Sequence, residues 1–249
     1  MANPVLEKQF GTASADVALQ TAQPPPATGA DTMSMGSVIT STLVLLILVM
    51  GGAAFGWANA AAVQRWYWAF IIGLIVLVIA TVARPQLAPI TGIIYSLGQG
   101  AMLGSISQVY ETCYDGIVLQ AFLATMAVFV SMLFLYATRI VKVTQKLRSV
   151  IIIATVGIAL FYLFSWILTL FNVDVPVLSG AGTPALIFSI LVVFVAALNL
   201  LLDFQVIEIV VRNCAPRSFS WFAAFGLMVT IVWLYIEMLR LLAILARNR

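Results

Sequence analysis

Acidic side chains inside apolar runs are the residues of this chain with the most chemistry to offer. The stretch AALNLLLDFQVIEIVVR, residues 196–212, carries Asp203 and Glu208 among side chains otherwise suited to hydrocarbon, and VWLYIEMLRLL, residues 232–242, carries Glu237 in the same way. A charged side chain at the centre of a membrane costs about 2.5–3.5 kcal/mol on insertion scales, so it turns toward the protein interior, a partner or water. Carboxylates held there can exchange protons, because burial disfavours their charged form, and can bind hard cations, which prefer oxygen ligands.

The local sequence distinguishes these acids. Glu208 has Arg212 four residues on, the spacing of an ordinary helix-surface ion pair. No basic residue stands three or four positions from Asp203, and Arg212 lies nine residues, about 13 Å of helix, away. Asp203 therefore has to meet water, a neighbouring helix or an ion, and Asn199 and Gln205 extend its polar surroundings. Glu237 has Arg240 at i+3, with Trp233 and Tyr235 nearby. If the last helix starts at Ser218 and stands upright, Glu237 lies about 28 Å along it, a depth that does not match that of Asp203. Either that helix begins with an interfacial extension around PRSFSWF, or Glu237 joins an outer cluster near Glu111. The remaining acids fall in the opening segment (Glu7, Asp16, Asp31) or in loops (Asp115, Asp174).

The elements that carry these residues follow from composition. With 63% hydrophobic and 8% charged residues in 249, the chain cannot surround one soluble core with a charged skin, and it reads as an all-α, multi-pass membrane protein. Apolar stretches of about 20 residues, the length needed to cross about 30 Å of hydrocarbon, fall near 37–59, 67–83, 88–110, 116–137, 149–171, 184–208 and 219–244. The expectation is a seven-helix transmembrane domain over 37–249 behind a flexible tail, 1–36, whose PPP run and small polar residues offer little to fold. Six spans with a re-entrant segment is the competing arrangement, and 67–83 is the weakest span. The tail has no secretory-signal pattern, so the first span is expected to be retained.

Basic residues orient the bundle. Lys8, Arg84, Arg139, Lys142, Lys146, Arg148, Arg212 and Arg217 fall on one side, and Arg65, Arg247 and Arg249 on the other, which is eight against three. The positive-inside rule then puts the N-terminus and the loop TRIVKVTQKLR in the cytoplasm and the C-terminus outside. That loop invites a nucleic-acid or anionic-lipid reading, but topology alone accounts for it, and no nucleic-acid partner is expected.

Several chemistries lack their parts. With no histidine, the chain lacks the commonest metal ligand and the usual neutral-pH base. Cys113 and Cys214 fall in loops on opposite sides, and no Walker or GxGxxG motif is present, so an enzyme is not expected and neither is a resident cofactor. The stretch TGIIYSLGQGAMLGSISQVYE, with Gly92, Gly98, Gly100 and Gly104, suits close helix packing in lipid, with a hinge or pore lining as the alternative.

Across about 37–246 the chain resembles the Bax inhibitor-1 family, its YccA-like bacterial branch most closely, on GQGAMLGSISQVYE, GIVLQAF, ALNLLLDFQVIE and WFAAFGLMVTIVWLYIEMLRLL. The resemblance implies six helices around a central last one, in a bacterial inner membrane, and a pH-sensitive calcium leak governed by acids on the sixth and seventh helices. The family's Asp-Thr-Gln pattern falls on Asp203, Phe204 and Gln205, with Phe204 departing, and its seventh-helix acid falls on Glu237. Asp203 and Glu237 are thus the expected ion-path, pH-sensing and Ca2+-contacting residues, with Asn199, Gln205, Glu111, Glu208 and Arg240 in support, and with lipid, cations and protons as partners. A nontransporting membrane regulator acting through protein partners is the alternative, and a solute carrier a third reading.

Overall fold

The computed structural model describes residues 32–171 and 182–248; the tail to residue 31, Asp174 and its surrounding loop lie outside the described residues. The helices are α1 (Met35–Ala58), α2 (Ala60–Arg65), α3 (Tyr67–Ala83), α4 (Ala88–Cys113), α5 (Ile117–Ala137), α6 (Gln145–Leu170), α7 (Thr183–Arg212) and α8 (Ser218–Arg247). All seven apolar stretches are helical, and α2 is an additional single-turn joint between Asn59 and Trp66. The protein is all-α and multi-pass. Five helices, α1 and α5–α8, are long and apolar enough to cross a membrane alone. The segment from α3 through the Pro85–Leu87 turn to α4 turns by 118° and adds one broken span or a re-entrant element, giving up to six. That bend is where the expected count of seven and the observed up to six part: α3 has only 17 residues, and Pro85 interrupts helical hydrogen bonding.

The ends of the helices are set locally. Ser34 caps α1 in a reciprocal capping box with Ser37, and Thr144 accepts from the Leu147 N–H to cap α6. Ahead of α1, Thr32 forms a bridge with Pro216, the Met33 N–H donates to the Ala215 carbonyl over 2.7 Å, and the Met33 side chain is buried.

Two kinds of contact hold the bundle. Helices α1 and α4 meet backbone to backbone: a methyl group added to Gly52 or Gly56 would overlap the carbonyls of Leu97 or Ala101, and one on Gly100 or Gly104 would overlap those of Val49 or Ala53. Small residues allow this approach where lipid supplies no hydrophobic drive for helices to associate. The second contact is α8, which lies against α1, α4, α5 and α7 and buries Met228, Leu234 and Leu239. Elsewhere the surface is apolar, with Ile47, Ile79, Ile153 and Phe164 exposed as lipid-facing side chains.

Candidate functional site: the carboxylates of α7 and α8

Asp203 sits about two-thirds of the way along α7, a helix that runs beside α8. The Thr230 hydroxyl of α8 faces it and donates to the Gly226 carbonyl at 3.3 Å. The Asp203 carboxyl oxygen Oδ2 is buried. Asp203 thus faces a neighbouring helix, with its Oδ2 left without a hydrogen bond among the described residues.

Glu237 is more deeply enclosed, at 4% exposure. Its Oε1 accepts from the Tyr162 hydroxyl of α6 at 2.8 Å and from the Trp233 indole at 3.3 Å. Arg240 lies 3.8 Å from Oε2, too far for a hydrogen bond, and its Nη1 donates to the Tyr162 oxygen at 2.6 Å. The guanidinium also stands over the rings of Tyr162 and Phe188, 5.6 and 5.7 Å from their centroids. A buried carboxylate is tolerable only when paired and hydrogen-bonded, and here Tyr162 serves both charges at once. Oε2 itself is buried without a hydrogen bond among the described residues.

The two acids occupy different depths. Thr230, the partner of Asp203, is seven residues before Glu237, about 10 Å along α8. Glu237 and Arg240 lie within electrostatic range of Tyr110, the residue before Glu111. Glu237 makes its contacts with Tyr162, Trp233 and Arg240 rather than with Glu111. Glu111 is itself occupied: its two carboxyl oxygens accept from the Gly116 and Val118 N–H groups at 2.7 and 3.0 Å, closing the start of α5 where Gly116 takes a positive φ of 76°. Among the described residues no three acidic or cysteine side chains gather as a metal-binding cluster.

The remaining polar residues tie helices together. Asn199 donates to the Thr155 hydroxyl of α6 at 2.8 Å and to the Val195 carbonyl, and Gln205 donates to the Val143 carbonyl at 3.1 Å, so neither extends toward Asp203. Glu208 pairs with Arg212 as its spacing indicated, and also accepts from the Tyr136 hydroxyl and faces Arg139 at 3.9 Å. Tyr162, Tyr136 and Thr230 are the partners that sequence reasoning missed. Each is an unremarked polar group in an apolar helix, separated from its acid by 27 to 75 residues.

Comparison with known families settles the kinship. The description "Bax inhibitor 1 like" matches residues 3–247, nearly the whole chain. The chain belongs to the Bax inhibitor 1-like family. No curated protein matches it. Membership of this family of membrane proteins agrees with the multi-pass fold and with a non-enzymatic role. In this Bax inhibitor 1-like chain, Asp203 and Glu237 stand on the adjacent helices α7 and α8, tied to α8 and α6 respectively.

Proposed function

We propose that this Bax inhibitor 1-like protein is a pH-sensitive cation leak, with Ca2+ as the permeant ion and Asp203 and Glu237 as the groups that respond to protons. The observation that carries the reading is the pair of buried carboxyl oxygens, Asp203 Oδ2 and Glu237 Oε2, neither of which has a hydrogen-bond partner among the described residues. Oxygen atoms of this kind suit a proton or a hard cation. The finer topology belongs to the same proposal: seven crossings with the last helix central, N-terminus cytoplasmic and C-terminus outside, in a bacterial inner membrane, as in the YccA-like branch. Protonation acts in two opposed ways, loosening the contacts that each carboxylate makes with its neighbours and weakening cation binding.

Liposomes containing the purified protein are expected to pass Ca2+ with a rate that changes between about pH 6 and 8, because burial raises carboxyl groups out of their ordinary range. An unchanged leak after Asp203→Asn and Glu237→Gln together would refute the mechanism.

One observation favours a second reading. Tyr162, Trp233 and Arg240 surround Glu237 so fully that it can serve purely to lock α6 onto α8, as in a nontransporting regulator that works through membrane-protein partners. That reading expects no flux from purified protein and a specific partner on crosslinking in native membranes.

A further inference from the structure

The basic loop between α5 and α6 does more than flank a span. It folds against the end of α7 to form an open cavity of about 290 Å³, lined by Tyr136, Arg139, Lys142, Gln205, Glu208 and Arg212 among others. Three cations thus face one carboxylate. Glu208 is already engaged by Arg212 and by the Tyr136 hydroxyl, and only distantly by Arg139, at 3.9 Å. Arg139 is 76% exposed, and Lys142 has no ion-pair or hydrogen-bond partner among the described residues.

Helix ends modify this balance only slightly. The C-termini of α5 and α7 add about half a negative charge each, and the start of α6 returns about half a positive one, so the cavity stays positive. Arg139 holds a left-handed backbone, φ 55°, at the end of α5, where glycine would be the unstrained choice. An arginine there brings a guanidinium to the cavity mouth. Next to it Ile140 is 66% exposed, an apolar side chain that suits the hydrocarbon edge rather than water.

We infer that this cavity seats a phosphate-bearing anion, and that the surroundings favour the headgroup of an anionic phospholipid as its source. The size is at the small end of ligand cavities, which suits a headgroup. The neighbouring Ile140 and the lipid-facing sides of α5 and α7 suit acyl chains. Arginine supplies the planar fork that phosphate oxygens accept, and lysine a point charge. The inference is independent of the leak reading, because it rests on a different set of side chains and is tested by binding alone.

The test uses the purified full-length chain in detergent, titrated with phosphatidylglycerol, with phosphatidylcholine and with inorganic phosphate. Bound lipid is counted by native mass spectrometry and thermal stability is followed in parallel. Phosphatidylglycerol is expected to bind and raise the melting temperature above the effect of phosphatidylcholine. The pair Arg139→Gln with Lys142→Gln is expected to weaken that binding about 10- to 30-fold. Removing the same charge outside the cavity, with Lys146→Gln and Arg148→Gln, is expected to change it less than about 3-fold. Competition by millimolar inorganic phosphate would assign the site to a soluble anion, and indifference to phosphate would assign it to lipid; either supports the seat. Equal weakening by the two variant pairs, or no binding of either anion, overturns it.

Discussion

The close approach of α1 and α4 can be tested one methyl group at a time. Gly104→Ala adds a Cβ where the Ala53 carbonyl already stands, and Gly100→Ala does the same against Val49. The obstacle in both is backbone rather than the end of a flexible side chain, so the helices themselves must separate. Overpacking of this kind costs about 1–3 kcal/mol, set against a helix-propensity gain of at most about 1 kcal/mol for alanine over glycine. The net expectation is a loss of about 1–2 kcal/mol per substitution, or about 2–8 °C in apparent melting temperature for a chain of this size. Gly157 on α6 and Gly226 on α8 provide the contrast, because a Cβ at either meets nothing within 4 Å. Gly157→Ala and Gly226→Ala should leave the melting temperature unchanged or raise it by about 2–4 °C. Detergent-solubilised protein, heated and then assayed for the monodisperse fraction by size exclusion, reads both directions. If Gly100→Ala and Gly104→Ala melt with the parent chain, the backbone contact does not hold α1 to α4 and the reasoning fails.

Three further substitutions probe the polar contacts. Tyr162→Phe removes the donor to Glu237 and the acceptor for Arg240, and is expected to lower stability by about 1.5–3 kcal/mol, with parent-like melting as the refuting result. Arg240→Leu leaves Glu237 buried without its cation and should cost about 3–5 kcal/mol at neutral pH; a smaller loss in the Glu237→Gln background, in a double-mutant cycle, would confirm that the two charges are coupled. Glu111→Ala frees the Gly116 and Val118 N–H groups and should cost about 1–2 kcal/mol, seen as faster amide hydrogen exchange at the start of α5; unchanged exchange there would show that the cap is dispensable.

Much of the helical layout was legible because membrane helices announce themselves by length and hydropathy. The stretch 67–83 is helical as Tyr67–Ala83, and 219–244 lies within Ser218–Arg247. The glycines of α4 signalled close packing, but their counterpart was not read: Gly52 and Gly56 of α1 stand at the same four-residue interval as Gly100 and Gly104. The number of crossings was beyond the sequence, since it depends on the angle at Pro85 and not on the apolarity of either arm. At the candidate site, the lack of a nearby cation identified Asp203 as a residue needing a partner, and the depth arithmetic separated it from Glu237. The partner itself, Thr230, has no distinguishing signal, because a hydroxyl in a membrane helix can equally bond to its own backbone, as Thr230 also does with Gly226. The i+3 spacing of Arg240 could by itself neutralise Glu237, and Tyr162 of α6 joins both groups from 75 residues away.

The position of α8 has a consequence for the order of events during synthesis. This helix is the last described segment to leave the ribosome, yet α1, α4, α5 and α7 all rest against it. Until it inserts, the surfaces that receive Met228, Leu234 and Leu239 face lipid or one another, and the side chains of α6 and α7 that it will satisfy have no partner. Tyr162 and Asp203 wait for Glu237 and Thr230, which are translated roughly 30 to 75 residues later. A ribosome stalled before α8 would therefore hold Tyr162 and Asp203 without the α8 groups they face, and buried polar groups left unpaired in this way are the kind of feature by which membrane quality control can recognise an unfinished chain.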